Sequence, residues 1–578
     1  MDLLAHYIDL INHFLSPVLV VGLLGAGAFL TLRLGFIQIR RLGHGFAVTT
    51  GRYDDDEEPG DVSHFQALTT ALSATVGIGN IAGVALAIHW GGPGALFWMW
   101  VTAIFGMATK YSEVTLAQHY RVQMDGGRMA GSVAGGPMYY IERGMKDVFG
   151  WNWKPVALFF AFMLMITSFM TGNAIQANTI ATQMSDTFGV ATWATGLLTA
   201  GIVGFVIIGG ISRIGRVTSI LAPVMAGLYV LAALTILFIN YEAVLPAFAT
   251  IFTEAFNPTA GVAGTGVGVF IFTLRYGVQR GLFSNEAGQG SAPIAHSAAK
   301  TDEPVSEGVV ALLEPFIDTI VICTMTGLVI VLTGANVAKV PTQISFTDGN
   351  VSWVAPRETG RIDIALPPES YDIVDGSPAV PVTEPRLAYY DVAVDQFFVD
   401  PDQQVIFSGT ILPSQARAVG DDGTEYTVLY GDAVLNSSPM TSLGFQRGLD
   451  PIGLGAFGRY LVLIAVFLFA ISTAISWSYY GDRCANYIWG QKAILPYKVV
   501  FLIFHFVGAV LAVTTIWDIG DVALSLVTLP NVITLVLLSG LLKKVTDSYF
   551  ERQPWLTQPG RKKKVPGTDG TQGTSHPS

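Results

Sequence analysis

The feature that most limits this chain is a recurring one: long stretches without Asp, Glu, Lys or Arg. They run Leu10–Leu32, Val62–Thr109, Pro155–Ser185, Thr187–Ser212, Val217–Tyr241, Ala255–Leu274, Thr319–Ala338, Tyr460–Gly481, Val499–Trp517 and Val522–Leu542. About 20 apolar residues cross a bilayer. Val62–Thr109 is long enough for two crossings, divided at Trp90-Gly91-Gly92-Pro93-Gly94. The expectation is an all-α polytopic membrane protein of eleven transmembrane helices, one leading helix and then ten. Only 13% of the residues are charged, against roughly 25% in soluble domains. A soluble enzyme, a disordered chain and a fibrous one are thereby excluded. The net charge of −11 excludes a nucleic-acid binder, and Cys323 and Cys484 are too few for a disulfide framework. The leading segment, Met1 to Asn12, is acidic and lacks Lys and Arg, so it is not a cleavable signal.

Basic residues set the orientation. With the N-terminus outside, the inner loops carry Arg33, Arg40, Arg41 and Arg52, then Lys110, Arg121, Arg128, Arg143, Lys146 and Lys154, then Arg213 and Arg216, then Lys300, then Arg483, Lys492 and Lys498. The tail, with Lys543, Lys544 and Arg561 to Lys564, is inside as well. The short outer segments carry Asp2, Asp9, Asp186, Glu242, Glu254, Asp518 and Asp521, with no Lys or Arg. One outer connection is long. Residues 336–450 are polar and proline-rich, with alternating runs around Arg361–Ile364, Tyr390–Val394 and Val405–Phe407 and a hairpin signal at Asp421-Asp422-Gly423. They hold six Lys/Arg and sixteen Asp/Glu, a net −10 of the chain's −11. A small β-rich domain is expected there, either a stabilising cap or a domain that binds a partner or delivers a ligand. The chain divides into 1–62 (leading helix and loop), 63–241 (first five-helix repeat), 242–335 (start of the second), 336–450 (insert), 451–548 (last three helices) and 549–578 (basic tail).

Unwound helix in a membrane is tolerated where its backbone lines a cavity, and glycine makes the break cheap. Thr75-Val76-Gly77-Ile78-Gly79-Asn80-Ile81-Ala82-Gly83 lies at mid-span of such a helix. Gly281-Leu282-Phe283-Ser284-Asn285-Glu286-Ala287-Gly288-Gln289-Gly290 is a second site. Both contain Asn-x-Ala-Gly, at Asn80 and Asn285, 205 residues apart. Each opens a group of five spans, and groups of five are inverted relative to one another. Paired glycine-broken helices in matching places point to a transport site between them. The alternative for Gly77 and Gly79 is close helix packing. The half-helix starting at Gly79-Asn80 suits a carboxylate. Carbonyls freed from Ala74 to Gly77 suit a hard cation such as Na⁺.

The two breaks, together with Gly135-Gly136-Pro137-Met138-Tyr139-Tyr140-Ile141, Arg275 to His296 and Ser472-Thr473-Ala474-Ile475-Ser476-Trp477-Ser478-Tyr479-Tyr480-Gly481, resemble the alanine/glycine:cation symporter family of prokaryotic amino-acid carriers. The resemblance covers nearly all of the membrane part. It implies a LeuT-type fold of ten inverted-repeat helices with one helix in front, in the plasma (inner) membrane of a prokaryote. It also implies coupled uptake of a small neutral amino acid, alanine or glycine, with Na⁺ or sometimes H⁺. The insert departs from the family pattern.

The resemblance implies substrate contacts at Thr75, Gly77, Gly79, Asn80, Gln176, Phe283, Ser284, Asn285 and Trp477. It implies a Na⁺ shell of the Ala74 and Gly77 carbonyls with the Ser472 and Thr473 hydroxyls, and no prosthetic group. Each has a plainer alternative. Gln176, with Asn173 one turn away, could bond a neighbouring helix; Ser472 and Thr473 could bond their own helix carbonyls; Phe283 and Trp477 could be core. Lys110 and Glu113, at i,i+3, are expected to pair. Glu286 could couple to protons, bond the unwound backbone or pair with Arg275 or Arg280, and is expected to act in gating or structure rather than on substrate. Roles for Glu314 and Asp318 are left open, and His89, His296 and His505 are expected to be isolated. A sensor built on a transporter fold is the competing function, and a channel the weaker third.

Overall fold

The computed structural model describes residues 19–55, 57–124, 132–257, 267–347, 350–356, 362–381, 383–511 and 514–556. The start of the leading span, Asp2, Asp9, Arg128, residues 258–266 of the sixth core span, Arg361 and the tail from 557 lie outside the described residues.

The chain is mostly helical. Five helices are long and apolar enough to cross a membrane: Lys154–Ser185, Gly210–Ile239, Pro304–Leu332, Gly455–Trp489 and Gln491–Val510. Three bent pairs raise the number to eight. The other helices on the charge-free stretches are shorter, such as Thr192–Ile207, or carry buried charge, such as Ala95–His119. This is a multi-pass membrane protein with a clear inside and outside to its bundle. The apolar stretch of Gly455–Trp489 is 78% buried, whereas that of Gly210–Ile239 is 28% buried. The first is therefore the central post and the second a perimeter helix. Against the post lie Lys154–Phe169 and His64–Thr75.

His64–Thr75 starts at a capping box. The Ser63 hydroxyl accepts the Gln66 N–H, and the Gln66 amide oxygen accepts the Ser63 N–H. It stops at Val76, and the chain resumes as a wide π-helical turn, Gly79–Gly83, leading into Val84–Gly91. The halves meet at 52°. The partner helix Val267–Asn285 packs beside it and ends in a loop before the short helix Ala292–His296.

Residues Lys339 to Val434 form short strands. Lys339–Ser345 pairs antiparallel with Val428–Val434 and closes the base, with Lys339 opposite Val434. Above it stand a five-stranded and a four-stranded sheet around Trp353, Tyr371, Leu387, Phe397, Phe407 and Leu429. Arg417–Gly420 and Glu425–Tyr426 form the hairpin expected at Asp421-Asp422-Gly423, with Gly423 at φ +83°. The strands stop earlier than the polar stretch does. Ser437–Leu449 is a helix packed on the central post, and the Thr441 hydroxyl donates to the Ile81 carbonyl at 2.9 Å. Gly448 admits Ile236 so closely that a Cβ there would lie 2.4 Å away. The β-domain also touches the first broken helix directly: His89 Nε2 lies 2.8 Å from the Tyr390 carbonyl oxygen.

Three of the cations expected in loops, Lys110, Arg483 and Lys498, are buried. Arg483 Nε and Lys498 Nζ lie 2.7 and 3.2 Å from the Asp482 carboxylate. The helix continues past Gly481 as far as Trp489, which carries Arg483 into the bundle.

Candidate functional site

The first break is closed by neutral groups. The Gly77 N–H donates to Asn80 Oδ1 at 2.8 Å, so Asn80 caps its own interruption. The Thr473 hydroxyl, on the central post, donates to the Ala74 carbonyl at 3.2 Å. A Cβ on Gly77 would sit 2.6 Å from that hydroxyl, so glycine is what lets the post approach the unwound backbone. Ser472 lies one residue earlier, and its hydroxyl reaches the Phe469 carbonyl at 2.8 Å and the Ser73 carbonyl at 3.3 Å. The carbonyls of Ser73 and Ala74 and the two hydroxyls thus gather at one side of the break.

The second break is charged. Glu286 has φ +54°, a left-handed backbone that costs a non-glycine residue about 1 kcal/mol or more. Its carboxylate accepts the Trp477 indole N–H at 3.1 Å and the Ser291 hydroxyl. It therefore pairs with neither Arg275 nor Arg280 in this arrangement. Gly288 and Gly290 complete the turn at φ +92° and +78°. The Gly290 N–H donates to Glu113 Oε1 at 3.0 Å, and Asn531 donates to the same oxygen at 2.5 Å. Glu113 is thus held by the second break and by Asn531. Lys110 reaches instead to Glu314, at 3.1 Å. The i,i+3 pairing expected within one helix gives way to a partner 204 residues away.

Between the breaks lies a small cavity with about 20 Å³ of free room, enough for little more than one water molecule. Ala74, Thr75, Gly77, Gly79, Gln176, Phe283, Thr473 and Trp477 line it. Ile78, Thr171, Glu286, Gln289 and Leu524 line it too. Gln289 stands within the second break and Thr171 outside both, and the sequence marks neither as a contact. Their signal is burial without satisfaction: Thr171 Oγ1, Gln176 Oε1 and Gln289 Oε1 are buried and have no hydrogen-bond partner among the described residues. Such atoms cost about 1–3 kcal/mol each when left alone, and three around one cavity make it a polar pocket that a bound group or a water would satisfy. Trp477 is seated against Gly172, where a Cβ would come within 2.3 Å of the indole.

Asn80, Ser284, Asn285 and Ser472 do not line this cavity. Asn80 donates to Ser284 Oγ at 3.1 Å and to Asp318 Oδ1 at 2.5 Å. Asn285 donates to Thr319 Oγ1 at 3.3 Å and caps Ala287 N–H at 3.1 Å. The two asparagines of the repeated Asn-x-Ala-Gly motif therefore do one job twice. Each closes its own break, and the two dock on adjacent residues of one turn, Phe316–Cys323. No group of three or more His, Cys, Asp or Glu able to hold a metal ion occurs among the described residues.

Comparison with known proteins identifies the lineage. The family model described as the sodium:alanine symporter family matches residues 1–355 and 427–563. The chain belongs to that family. A sodium/alanine symporter, AgcS, of Methanococcus maripaludis is 38% identical over 545 residues, covering 94% of this chain and 97% of that one. An amino-acid carrier protein, AlsT, of Bacillus subtilis is 29% identical over 97% of this chain and 95% of its own length. A solved structure of MhsT in complex with L-phenylalanine aligns with a TM-score of 0.49 at 12% identity, over 86% of this chain and 96% of that chain. Within this symporter-family chain, residues 356–426 fall outside the family model. They hold most of the β-domain, including the Tyr390 that touches His89.

Proposed function

We propose that this protein is a secondary active transporter that carries a small neutral amino acid, alanine or glycine, into the cell together with Na⁺ by alternating access. The observation that carries the reading is the site itself: neutral oxygens gathered at one helix break, beside a cavity with three unpartnered polar atoms. Na⁺ would be held by the Ala74 and Gly77 carbonyls and the Thr473 hydroxyl, with Ser472 completing the shell. All are uncharged oxygens, the donor set suited to a hard monovalent cation at an unwound helix. The substrate carboxylate would lie at the start of the half-helix Gly79–Gly91, whose first N–H groups lack partners within the helix. Its ammonium would donate to Gln176 and Gln289. Trp477 and Phe283 form the wall that limits the side chain. The names carried by the relatives, sodium/alanine symporter and amino-acid carrier, support the same reading.

The architecture proposed with it is eleven spans, a leading helix and two inverted groups of five. The N-terminus and the β-domain are outside and the C-terminus is in the cytoplasm. Asn80, Ser284 and Asn285 are assigned to holding the breaks rather than to touching substrate. Labelled alanine uptake into proteoliposomes tests the proposal. Accumulation should require an inward Na⁺ gradient, and Na⁺ should tighten alanine binding. Uptake indifferent to Na⁺, or binding without uptake, would overturn it, the second outcome being that of a sensor.

A further inference from the structure

A line of buried titratable side chains runs away from the central site, and the transport reading makes no use of it. Glu314 Oε2 faces His296 Nε2 at 3.7 Å. His296 Nδ1 lies 2.5 Å from Glu307 Oε1. The other oxygen of Glu307 is bonded to His64 Nδ1. His64 Nε2 lies 4.0 Å from Asp54, which is exposed. Carboxylate and imidazole alternate along the line, and each ring turns one nitrogen to each neighbour. Lys110, Glu314, His296 and Glu307 are completely buried, and His64 is 3% exposed.

Charge counting says what the line holds. Lys110 balances one of the carboxylates Glu314 and Glu307. The second leaves a buried negative charge, which is costly in a low-dielectric interior. One proton on the imidazole pair removes it, and the symmetry of Glu307 between the two rings gives that proton two places to reside. Other charges face the line from the packed elements. Glu58 lies near His64, Arg121 near Glu307, Glu113 and Glu286 near Lys110, and the Tyr480 hydroxyl near Glu314. The link between His296 and Glu314 is open in this arrangement: both facing atoms lack a hydrogen-bond partner among the described residues.

We propose that this line is a proton relay joining the surface at Asp54 to the Lys110–Glu314 pair beside the central site, and that it operates within the transport cycle proposed above. A proton arriving on His64 Nε2 releases the one on Nδ1 to Glu307. Glu307 turns its carboxyl to bring that proton from Oε2 to the Oε1 side and passes it to His296 Nδ1, and His296 Nε2 passes its own proton to Glu314 when the open link closes by a small shift or one bridging water. Protonated Glu314 loosens its hold on Lys110, whose remaining carboxylate neighbours are Glu113 and Glu286. Both of those are bound to the second break, and Glu286 lines the cavity. A proton at one surface thereby acts on the groups that shape the site.

The test uses the full chain in proteoliposomes with a trapped pH-sensitive dye, scored beside labelled alanine uptake. The native chain should take up protons when alanine binds and return them to the Asp54 face afterwards, a transient dye signal in step with uptake. His296→Gln and Glu307→Gln should lose at least about nine-tenths of the dye signal while alanine binding to the purified protein stays within about threefold of native. His64→Gln, at the surface end, supplies the same reading if a deeper variant does not fold. A native chain that moves no protons overturns the relay, as does an undiminished signal in the variants. Failure of the transport reading is distinguishable, since it appears as uptake indifferent to Na⁺ whatever the dye reports.

Discussion

The two helix breaks share a motif and differ in chemistry. At the first, the Asn80 amide and the Thr473 hydroxyl, both neutral, bond the unwound backbone, and the one carboxylate bonded to Asn80, that of Asp318, reaches its side chain. At the second, carboxylates surround it, Glu286 within the turn and Glu113 on its glycine N–H. The shared part, an asparagine docked on Asp318 or Thr319, is scaffold. The lesson is that a repeated motif marks a common way of interrupting a helix, while the residues around it decide what each interruption does. A neutral break can take a cation. A break already rich in carboxylates is suited to responding to charge.

Breaking the scaffold should have the largest effect. Asn80→Ala strips partners from Gly77 N–H, Ser284 and Asp318 at once and should cost about 3 kcal/mol or more. Asn285→Ala removes two longer bonds and should cost about 1–2 kcal/mol. Thermal unfolding of the purified variants checks the order, and equal losses would erase the asymmetry between the breaks. Thr473→Ala should raise the Na⁺ concentration for half-maximal uptake by about tenfold, a loss of about 1.4 kcal/mol, and Thr473→Ser should restore it. An unaltered Na⁺ dependence would remove Thr473 from the cation shell. Trp477→Ala empties the wall beside the cavity and should admit larger neutral amino acids while weakening alanine severalfold, read by competition against labelled alanine. Unchanged selectivity would assign Trp477 to packing alone. The smallest effect is expected from replacing residues 356–426 by a short linker: Na⁺ dependence and selectivity should persist, because the cavity lies between the breaks. A lost Na⁺ requirement would draw the β-domain into the site.

Much of this was legible in the sequence because its signals are local. Charge-free length marks helices, Gly77 and Gly79 mark a break, and Asp422-Gly423 marks a hairpin. The less legible parts are those where distance along the chain misleads. Lys110 and Glu113 share a helix face, yet Lys110 bonds Glu314 and Glu113 bonds Asn531 and Gly290, because burial gives each charge the strongest partner the bundle brings near. His296 reads as solitary from its neighbours in sequence, yet it stands between Glu307 and Glu314. Asn80 and Asn285 stand inside the motifs and look like ligand contacts. Their amides are spent on the breaks, and the unsatisfied oxygens belong to Thr171, Gln176 and Gln289, of which only Gln176 was singled out by context. Ser437–Leu449 reads as part of the β-rich insert because its polar, proline-bearing start resembles the stretch before it, yet it is a helix whose Gly448 is packing surface.

The bond between His89 and the Tyr390 carbonyl has a practical consequence. It fastens a folded, acidic domain to the end of the half-helix that begins at the first break. A tilt of that half-helix that keeps the bond would carry Tyr390 and its domain along with it. A dye or spin label on an exposed residue there, such as Val374, would act as a pointer on a dial, registering the motion of the break from a position that leaves every residue of the cavity untouched.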